Sequence, residues 1–212
     1  ECRLPLMVHI SKGADTAGIL RRLRPGDVIT HCFQGRGDGL FDNGVLHPEA
    51  MEARKRGVLF DVGHGCGSFS WATARRGFEH SFLPDTISTD LHRYSVERWA
   101  MSLPETMSKF LHLGMPLRDV ILKTTAMPAY AIGRAGTLGT LRPGSAADLL
   151  IFEVEEGEFE FEDTHLKREC GRRRIKPIAL LNKGQKLEKA PTLLRDLNAC
   201  DRQVFRFVEE TA

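Results

Sequence analysis

Residues 4–31, LPLMVHISKGADTAGILRRLRPGDVITH, contain two short apolar runs that each end in a histidine. The two runs predict strands that end at His9 and His31, and the apolar residues of KGADTAGILRRL between them share one helical face. Pro25 and Gly26 predict the turn into the second strand. This stretch therefore predicts one strand-helix-strand unit, the building block of a parallel sheet.

The same alternation continues through Tyr130. GVLFDVGHG and DTISTD predict two further strands, and helices are predicted at 48–56, 69–76, 103–114 and 117–125. The stretch FQGRGDGLFDNG is rich in Gly, Asp and Asn, which predicts a long loop without regular structure. Four strands alternating with helices predict an α/β fold with a parallel sheet.

The pattern changes after Gly133. GTLGTLRPGSAADLLIFEV, EFEFED and IKPIALLNKG predict a small β domain, and the basic stretch KRECGRRRIK is predicted to be a solvated loop without a function of its own. Apolar residues at helical spacing after Pro191 predict an amphipathic C-terminal helix. We therefore predict three parts, at 1–132, 133–187 and 188–212.

Composition limits the classes of partner. The 212 residues carry a net charge of +2, without the concentrated basic face that a nucleic-acid partner requires. No apolar run has the length of a membrane span, and the N-terminus lacks the pattern of a signal peptide. Five cysteines without a CxxC pair argue against a disulfide framework. We expect a cytoplasmic protein with no nucleic-acid or membrane partner.

Three polar residues occupy the position where catalytic groups collect in parallel α/β barrels. His9, His31 and Asp90 each close an apolar run and lead into a loop. A single histidine at a strand end is more often a buried, hydrogen-bonded residue than a ligand. Two imidazoles and a carboxylate together suit a divalent metal that polarises a carbonyl group and activates water.

Several motifs in one order resemble the amidohydrolase superfamily, in particular the amidohydrolase/deacetylase metallohydrolases related to dihydroorotase. They are HCFQG, FDVGHGCGSFSW, FLPDTISTDLH, TTAMPAYAIG and GTLGTLRPGSAADLLIF, and the resemblance runs from about residue 4 to 184. The combination is far more specific than any one motif.

The resemblance implies a metal-dependent (β/α)₈ TIM barrel with one or two zinc ions, or other divalent metals, at the C-terminal ends of its strands. By this comparison His9 and His31 are metal ligands on the fifth and sixth strands, and Asp90 is the carboxylate that closes the eighth. The family's reaction is attack of a metal-bound hydroxide on an amide, with Asp90 as general acid and base.

Three further residues are candidates for substrate contact. His64 in GHGCGSF faces the substrate in one interpretation, although its flanking glycines are also explained by close backbone approach. His92 orients Asp90 or contacts substrate, or is a surface residue. Arg36 in the predicted loop recognises a substrate carboxylate, unless it is a solvated loop charge.

The sequence departs from the family pattern at one point. Family members carry an HxH pair on the first strand and usually a carboxylated lysine on the fourth, and no HxH occurs here. The chain therefore resembles the C-terminal portion of such an enzyme, with strands 5 to 8 of the barrel. We expect a complementary N-terminal half to complete the site, and a homo-oligomer is the expected form of the chain alone, because its open sheet edges are exposed; catalysis is not expected from this chain alone.

The implied substrates are N-acetyl or O-acetyl compounds that carry a carboxylate. Cyclic amides such as dihydroorotate or hydantoins remain an alternative. A third hypothesis, from a different class, is a non-catalytic remnant or interaction module of the same fold.

Overall fold

A computed structural model of the protein describes residues 4–11, 13–35, 39–42, 44–92, 95 and 98–187. The predicted C-terminal helix at 188–212 and the predicted anion contact Arg36 lie outside the described residues. The elements follow one another as β1 (Met7–His9), α1 (Thr16–Arg22), β2 (Val28–Thr30), β3 (Phe41–Asp42), β4 (Val45–Leu46), α2 (Pro48–Lys55), β5 (Leu59–Phe60), α3 (Trp71–Glu79), α4 (Leu103–His112), α5 (Leu117–Thr124), α6 (Ala126–Ala131), β6 (Leu149–Glu162), β7 (Arg168–Asn182) and β8 (Gln185–Lys186).

A small parallel sheet forms the first part of the fold, as the alternation of strands and helices predicts. Its order is β1-β2-β5, and both pairings are parallel. β2 is buried along its whole length, whereas β1 is an edge whose Met7 is exposed. The mixed α/β character of the prediction is confirmed.

The fourth predicted strand is wrong as a continuous strand. Within DTISTD the only β-bridge is the isolated parallel pairing of Thr86 with Asp61, and beyond it the Ser88 and Thr89 carbonyls accept single bonds from the His64 and Gly65 amides. The side chain of Asp85 instead accepts a hydrogen bond from the Phe60 amide at 2.8 Å, and the segment ends at Asp90 with a φ of 46°. The side-chain hydrogen bond at Asp85 and the left-handed conformation of Asp90 therefore interrupt the regular backbone hydrogen bonding of a strand at both ends of the segment.

The predicted long loop also contains regular structure. Phe41 pairs with Leu46 and Asp42 with Val45 in a short antiparallel hairpin, β3–β4. Gly44 has a φ of 85°, a conformation that glycine adopts readily, and this permits the tight turn. The turn signals were present in the sequence, but the two-residue strands beside them were too short to give an alternation.

The predicted helices at 48–56, 69–76, 103–114 and 117–125 correspond to α2, α3, α4 and α5, with ends that differ by up to three residues. Two serines account for two of the starts. The side chain of Ser70 accepts from the Thr73 amide, and that of Ser102 accepts from the Glu105 amide at 3.2 Å. Aromatic side chains between these helices and the sheet form the core, with Phe33, Phe60, Phe69, Trp71, Phe82 and Phe110 fully buried.

The C-terminal part is dominated by a long antiparallel hairpin, β6–β7, which β8 extends. The basic stretch 167–176 was predicted to be a loop, and this is wrong, because nearly all of it belongs to β7. Its charged side chains pair with glutamates of β6, as in Arg172 with Glu158 and Arg174 with Glu155. These cross-strand pairs show how a basic run is accommodated in a strand here, with each charge placed beside one of opposite sign.

The hairpin packs on the rest of the fold through one face. Phe159, Phe161 and Ile175 join the same buried cluster as Phe110 of α4. The Ile175 amide donates to Ser108 Oγ of α4 at 2.8 Å. The prediction of separate parts at 1–132 and 133–187 is not decided by these contacts and stays a prediction.

Two further observations concern the described part of the chain alone. Cys32, Cys66 and Cys170 are free thiols. Among the described helices, none combines the length and the apolar character needed to cross a bilayer.

Candidate functional site

Two of the predicted metal ligands lie side by side at the carboxyl ends of neighbouring strands. His9 is the last residue of β1 and is exposed, whereas His31 directly follows β2 and is only 3% exposed. Their rings meet edge to face, with centroids 4.5 Å apart and planes at 83°. The parallel pairing of β1 with β2 in register brings these two residues together.

A backbone carbonyl orients the His31 ring. His31 Nδ1 lies 2.7 Å from the Gly63 carbonyl oxygen. Burial lowers the pKa of His31 and the neighbouring His9 adds to this, while the Gly63 bond and the charges of Asp90 and Asp61 oppose it. A neutral ring that donates from Nδ1 keeps its Nε2 lone pair, the form that a metal ligand requires.

Glycine is needed at two positions around this pair. A Cβ at Gly63 would lie 2.7 Å from His31 Nδ1, and a Cβ at Gly65 would lie 2.6 Å from Asp90 Oδ2. Both glycines also have a positive φ. The close backbone approach that the sequence offered as an explanation of these glycines is therefore present.

Asp90, the predicted general acid and base, is exposed and has a left-handed φ of 46°. Its carbonyl oxygen accepts from Ser95 Oγ at 3.1 Å, and its carboxylate lies against the backbone of Gly65. A non-glycine residue in this conformation is held by its surroundings. The Asp90 charge is close enough to His31 to raise the pKa of that ring.

The donor chemistry of this region fits a divalent metal in part. His9 and His31 supply two adjacent imidazoles, one of them oriented by a carbonyl, and Asp90 supplies a carboxylate near them. Within the described residues, however, no group of three or more His, Cys, Asp or Glu side chains is arranged to hold a metal ion. The assignment of His9, His31 and Asp90 as a ligand set stays a prediction.

A buried carboxylate under the site was missed by the sequence analysis. Asp61 follows β5, is 2% exposed, and accepts hydrogen bonds from three hydroxyl groups. The donors are Thr30 Oγ1 and Ser88 Oγ at 2.7 Å and Thr86 Oγ1 at 2.6 Å. Since Thr30 precedes His31 and Ser88 lies two residues before Asp90, Asp61 connects both strand ends. An aspartate within the apolar run VLFDV was the available signal.

His64, predicted to contact substrate, is fully buried. Its ring stacks on Phe69 with centroids 4.6 Å apart, Nδ1 lies 3.0 Å from the Gly65 carbonyl oxygen, and Nε2 lies 2.9 Å from Lys109 Nζ. Both ring nitrogens thus have partners within the protein. Contact between His64 and a substrate stays a prediction.

His92, the other described candidate for substrate contact, is exposed two residues after Asp90. Its amide donates to Ser95 Oγ at 2.9 Å, and its carbonyl accepts from the Ser95 amide at 3.0 Å. Since Ser95 Oγ also donates to the Asp90 carbonyl, His92 belongs to the turn that holds Asp90. Its substrate contact also stays a prediction.

A buried charged pair on α4 was also missed. Glu105 and Lys109 are one turn apart, and both are almost fully buried. Burial raises the pKa of Glu105 and lowers that of Lys109, while the opposite charge of each partner limits the shift of the other. Helical spacing places Glu105 and Lys109 opposite the apolar face of LPETMSKFLHL, which predicts an exposed i,i+4 ion pair, so the sequence carried no signal of their burial.

Comparison with known proteins places this geometry in a family. Residues 41–187 match the Amidohydrolase family. A curated deacetylase from Brucella anthropi is 36% identical over 165 residues, which cover 77% of this chain and 41% of the relative. A deacetylase from Enterococcus faecalis is 33% identical over 186 residues, which cover 86% of this chain and 50% of the relative. The chain thus spans half or less of the length of these relatives.

Solved structures give the same result. The crystal structure of an adenine deaminase matches with a TM-score of 0.83 and 32% identity over 87% of this chain and 51% of that one. The crystal structure of a dihydroorotase matches with a TM-score of 0.76 and 30% identity over 86% and 48% of the two chains. Neighbours of this kind imply a fold of the TIM-barrel metallohydrolase type, of which this chain covers about half. The resemblance seen in the sequence motifs is confirmed, and the chain belongs to the amidohydrolase family.

Proposed function

We propose that this chain carries the Asp90 side of the metal site of a zinc-dependent amidohydrolase, a deacetylase of N-acetyl or O-acetyl compounds that bear a carboxylate. In this proposal β1, β2, β5 and the segment around Thr86 are strands 5 to 8 of a (β/α)₈ barrel. The deacetylases from Brucella anthropi and Enterococcus faecalis favour this substrate class over others.

The observation that carries the proposal is the edge-to-face contact of His9 with His31. The two imidazole rings lie at the carboxyl ends of parallel strands, with centroids 4.5 Å apart. Neutral imidazoles at this spacing are suited to bind one divalent metal ion. The carbonyl of Gly63 holds His31 in the tautomer that leaves Nε2 available. His9 and His31 would hold the metal, with Asp90 beside them.

A bound divalent metal supplies polarisation of the substrate carbonyl and activation of water at neutral pH. The carboxylate of Asp90 accepts a proton from the attacking water and donates it to the nitrogen or oxygen that leaves with the product. Its exposed position gives it access to both groups. The Gly65 backbone, against which Asp90 Oδ2 lies, limits the directions from which the proton can be transferred.

The remaining ligands and the rest of the barrel would come from a complementary N-terminal half, whereas a second copy of the chain, which carries no HxH pair, would only cover the open sheet edges. The exposed apolar residues Leu4, Leu6 and Met7, at the start of and along the edge strand β1, support such a partner. The cytoplasmic location stays a prediction, which the free thiols of the described cysteines favour.

Metal content, measured by mass spectrometry on the purified chain, tests the proposal. We expect about one equivalent of zinc, the number of ions in a mononuclear catalytic site. His31→Ala should lose it and Asp90→Ala should weaken it. His112→Ala is the matched control, because His112 Nε2 bonds to Glu169 at 2.8 Å on the hairpin. Equal loss in His112→Ala would contradict the proposal, whereas a folded chain without zinc would show that metal binding requires the complementary half or that the chain has lost the chemistry.

A second candidate is hydrolysis of a cyclic amide, which the match to the dihydroorotase structure favours. Parallel assays of the zinc-loaded protein with N-acetyl amino acids, O-acetyl carboxylates and dihydroorotate distinguish the two. Turnover of dihydroorotate alone would replace the deacetylase proposal. Bound zinc with no turnover of any of them would favour a non-catalytic module.

A further inference from the structure

We propose that Lys109 is a positioning residue for Asp90, acting through His64 and the backbone of Gly65. The inference rests on the proposed role of Asp90 and deepens it. It begins with the surroundings of the Lys109 ammonium group, which is fully buried. Nζ lies 2.9 Å from His64 Nε2, 2.6 Å from the Trp99 carbonyl oxygen and 2.7 Å from the Glu162 carbonyl oxygen. Three acceptors match the three hydrogens of an ammonium group.

This arrangement determines the tautomer of His64. An ammonium group has no lone pair, so His64 Nε2 must accept, and the ring proton must sit on Nδ1. Nδ1 then donates to the Gly65 carbonyl oxygen at 3.0 Å. Burial and the charge of Lys109 lower the pKa of His64 well below its usual value, which keeps the ring neutral.

Gly65 passes this constraint to Asp90. The Gly65 amide donates to the Thr89 carbonyl at 2.9 Å, and the His64 amide donates to the Ser88 carbonyl at 3.1 Å. The segment that ends at Asp90 is therefore paired with residues 64–65. The Asp90 carboxylate lies so close to Gly65 that a Cβ there would be 2.6 Å from Oδ2.

Lys109 also connects the two sides of this segment. Trp99 belongs to the loop that follows Asp90, and Glu162 is the last residue of β6. One side chain on α4 thus contacts both the 64–65 segment that pairs with residues 88–89, through His64, and the loop that follows Asp90, through the Trp99 carbonyl. Removal of its ammonium group leaves His64 free to adopt the other tautomer and turn away from Gly65.

The test compares Lys109→Met with Ser108→Ala. Ser108 is the neighbouring residue and also connects α4 to the hairpin, through the Ile175 amide, but the structure gives it no bond to His64. In Lys109→Met we expect the zinc affinity to fall about tenfold, the lower end of the range for partners that orient metal ligands. Ser108→Ala should destabilise the fold and leave the zinc affinity unchanged.

Imidazole ¹⁵N spectra supply a readout that loss of stability does not change. His64 should be the Nδ1–H tautomer in the unmodified chain and in Ser108→Ala, and should change in Lys109→Met. An Nε2–H tautomer in the unmodified chain would overturn the proposal even if Lys109→Met does not fold. His64→Gln is a second variant, since its amide oxygen can accept from Lys109 but leaves the Gly65 carbonyl without its donor; it should weaken zinc binding as Lys109→Met does.

Failure of the proposed function is distinguishable from failure of this inference. The proposed function fails if His112→Ala loses as much zinc as His31→Ala. Zinc affinity gives no readout if the unmodified chain binds none without its complementary half. Positioning is then measured from the backbone amide resonances of Gly65 and Asp90. These should shift and broaden in Lys109→Met and stay unchanged in Ser108→Ala. Unchanged resonances in Lys109→Met, or equal changes in both variants, would overturn the proposal.

Discussion

The parallel sheet and the hairpin are stabilised in different ways. The sheet strands β1, β2 and β5 have three, three and two residues, whereas β6 and β7 have 14 and 15. A ladder of two or three residues supplies few backbone bonds, so the sheet depends on side chains such as Asp61 to hold its strand ends. The long hairpin supplies its own ladder.

The difference is clearest in how each region accommodates carboxylates. In the sheet, Asp61 is buried among three hydroxyl groups. On the hairpin, Glu158 is 70% exposed beside Arg172. Between the two regions, on α4, Glu105 is buried one turn from Lys109. The region that carries the candidate site is therefore the one in which a single polar side chain has most influence on geometry.

Asp61→Ala should give the largest effect. In this variant three buried hydroxyl groups lose their charged acceptor. A buried polar group without a hydrogen-bond partner costs about 1–3 kcal/mol, so we expect the free energy of unfolding to fall by about 4 kcal/mol in urea denaturation. Asp61→Asn keeps one acceptor oxygen and should cost about half as much. Resonances of His31 and Asp90 should shift in both variants.

Asp148→Ala is the matched control at the other region. Asp148 is also an aspartate that accepts a hydrogen bond, from the Lys183 amide at 2.8 Å, but it is exposed beside the hairpin. Its removal should cost about 1 kcal/mol and leave the site resonances unchanged. Equal losses in Asp61→Ala and Asp148→Ala would contradict the dependence of the sheet on Asp61.

Glu105→Gln should give an intermediate effect that depends on pH. Burial raises the pKa of Glu105 from 4.5 to about 7. The folded state therefore binds more protons than the unfolded state between pH 4.5 and 7. The free energy of unfolding accordingly falls as the pH rises through this window. Glutamine cannot ionise. Relative to the unmodified chain, the variant should gain on the order of 2 kcal/mol between pH 5 and 8 in denaturation curves.

Glu52→Gln is the control for this titration. The hydrogen bond from Lys55 lowers the pKa of Glu52, so its contribution is fully present above pH 4.5 and is lost only as the pH falls. The difference between this variant and the unmodified chain should stay constant from pH 5 to 8. A constant difference in Glu105→Gln as well would mean that Glu105 is ionised in the folded state throughout.

Local patterns in the sequence were sufficient to predict helices α1 to α5 and to place His9 and His31 at neighbouring strand ends. Helical spacing of apolar residues extends over only a few turns and is therefore visible locally. His9 and His31 each end an apolar run, and the parallel pairing of β1 with β2 brings the ends of these two runs together. The contacts that complete the site join residues far apart in the chain: Lys109 is 45 residues from His64, and Asp61 is 25 to 31 residues from its hydroxyl donors. No local periodicity encodes such contacts.

Backbone conformation explains the remaining differences. The left-handed conformations of His31 and Asp90 are imposed by neighbouring chain segments and leave no signature in residue type. The strand character of the basic stretch 167–176 depends on glutamates of β6, which face it only after the hairpin closes. The hairpin at 41–46 is too short to give an alternating pattern. Each of these features depends on tertiary or cross-strand contacts rather than on propensity.

Glu158→Ala should give the smallest effect. Both members of the ion pair with Arg172 are exposed to solvent, Glu158 by 70% and Arg172 by 77%. Water and salt therefore screen the attraction, and the two long side chains lose conformational entropy when they form the pair. We expect a loss of about 0.5 kcal/mol or less in urea denaturation, and less at high salt. Glu162→Ala is the control on the same strand, because Glu162 is 14% exposed and bonds to both Arg98 and Arg168, and its loss should be larger. If the two variants cost the same, the ion pairs of the hairpin contribute regardless of exposure, and the contrast with the sheet would lie in strand length alone.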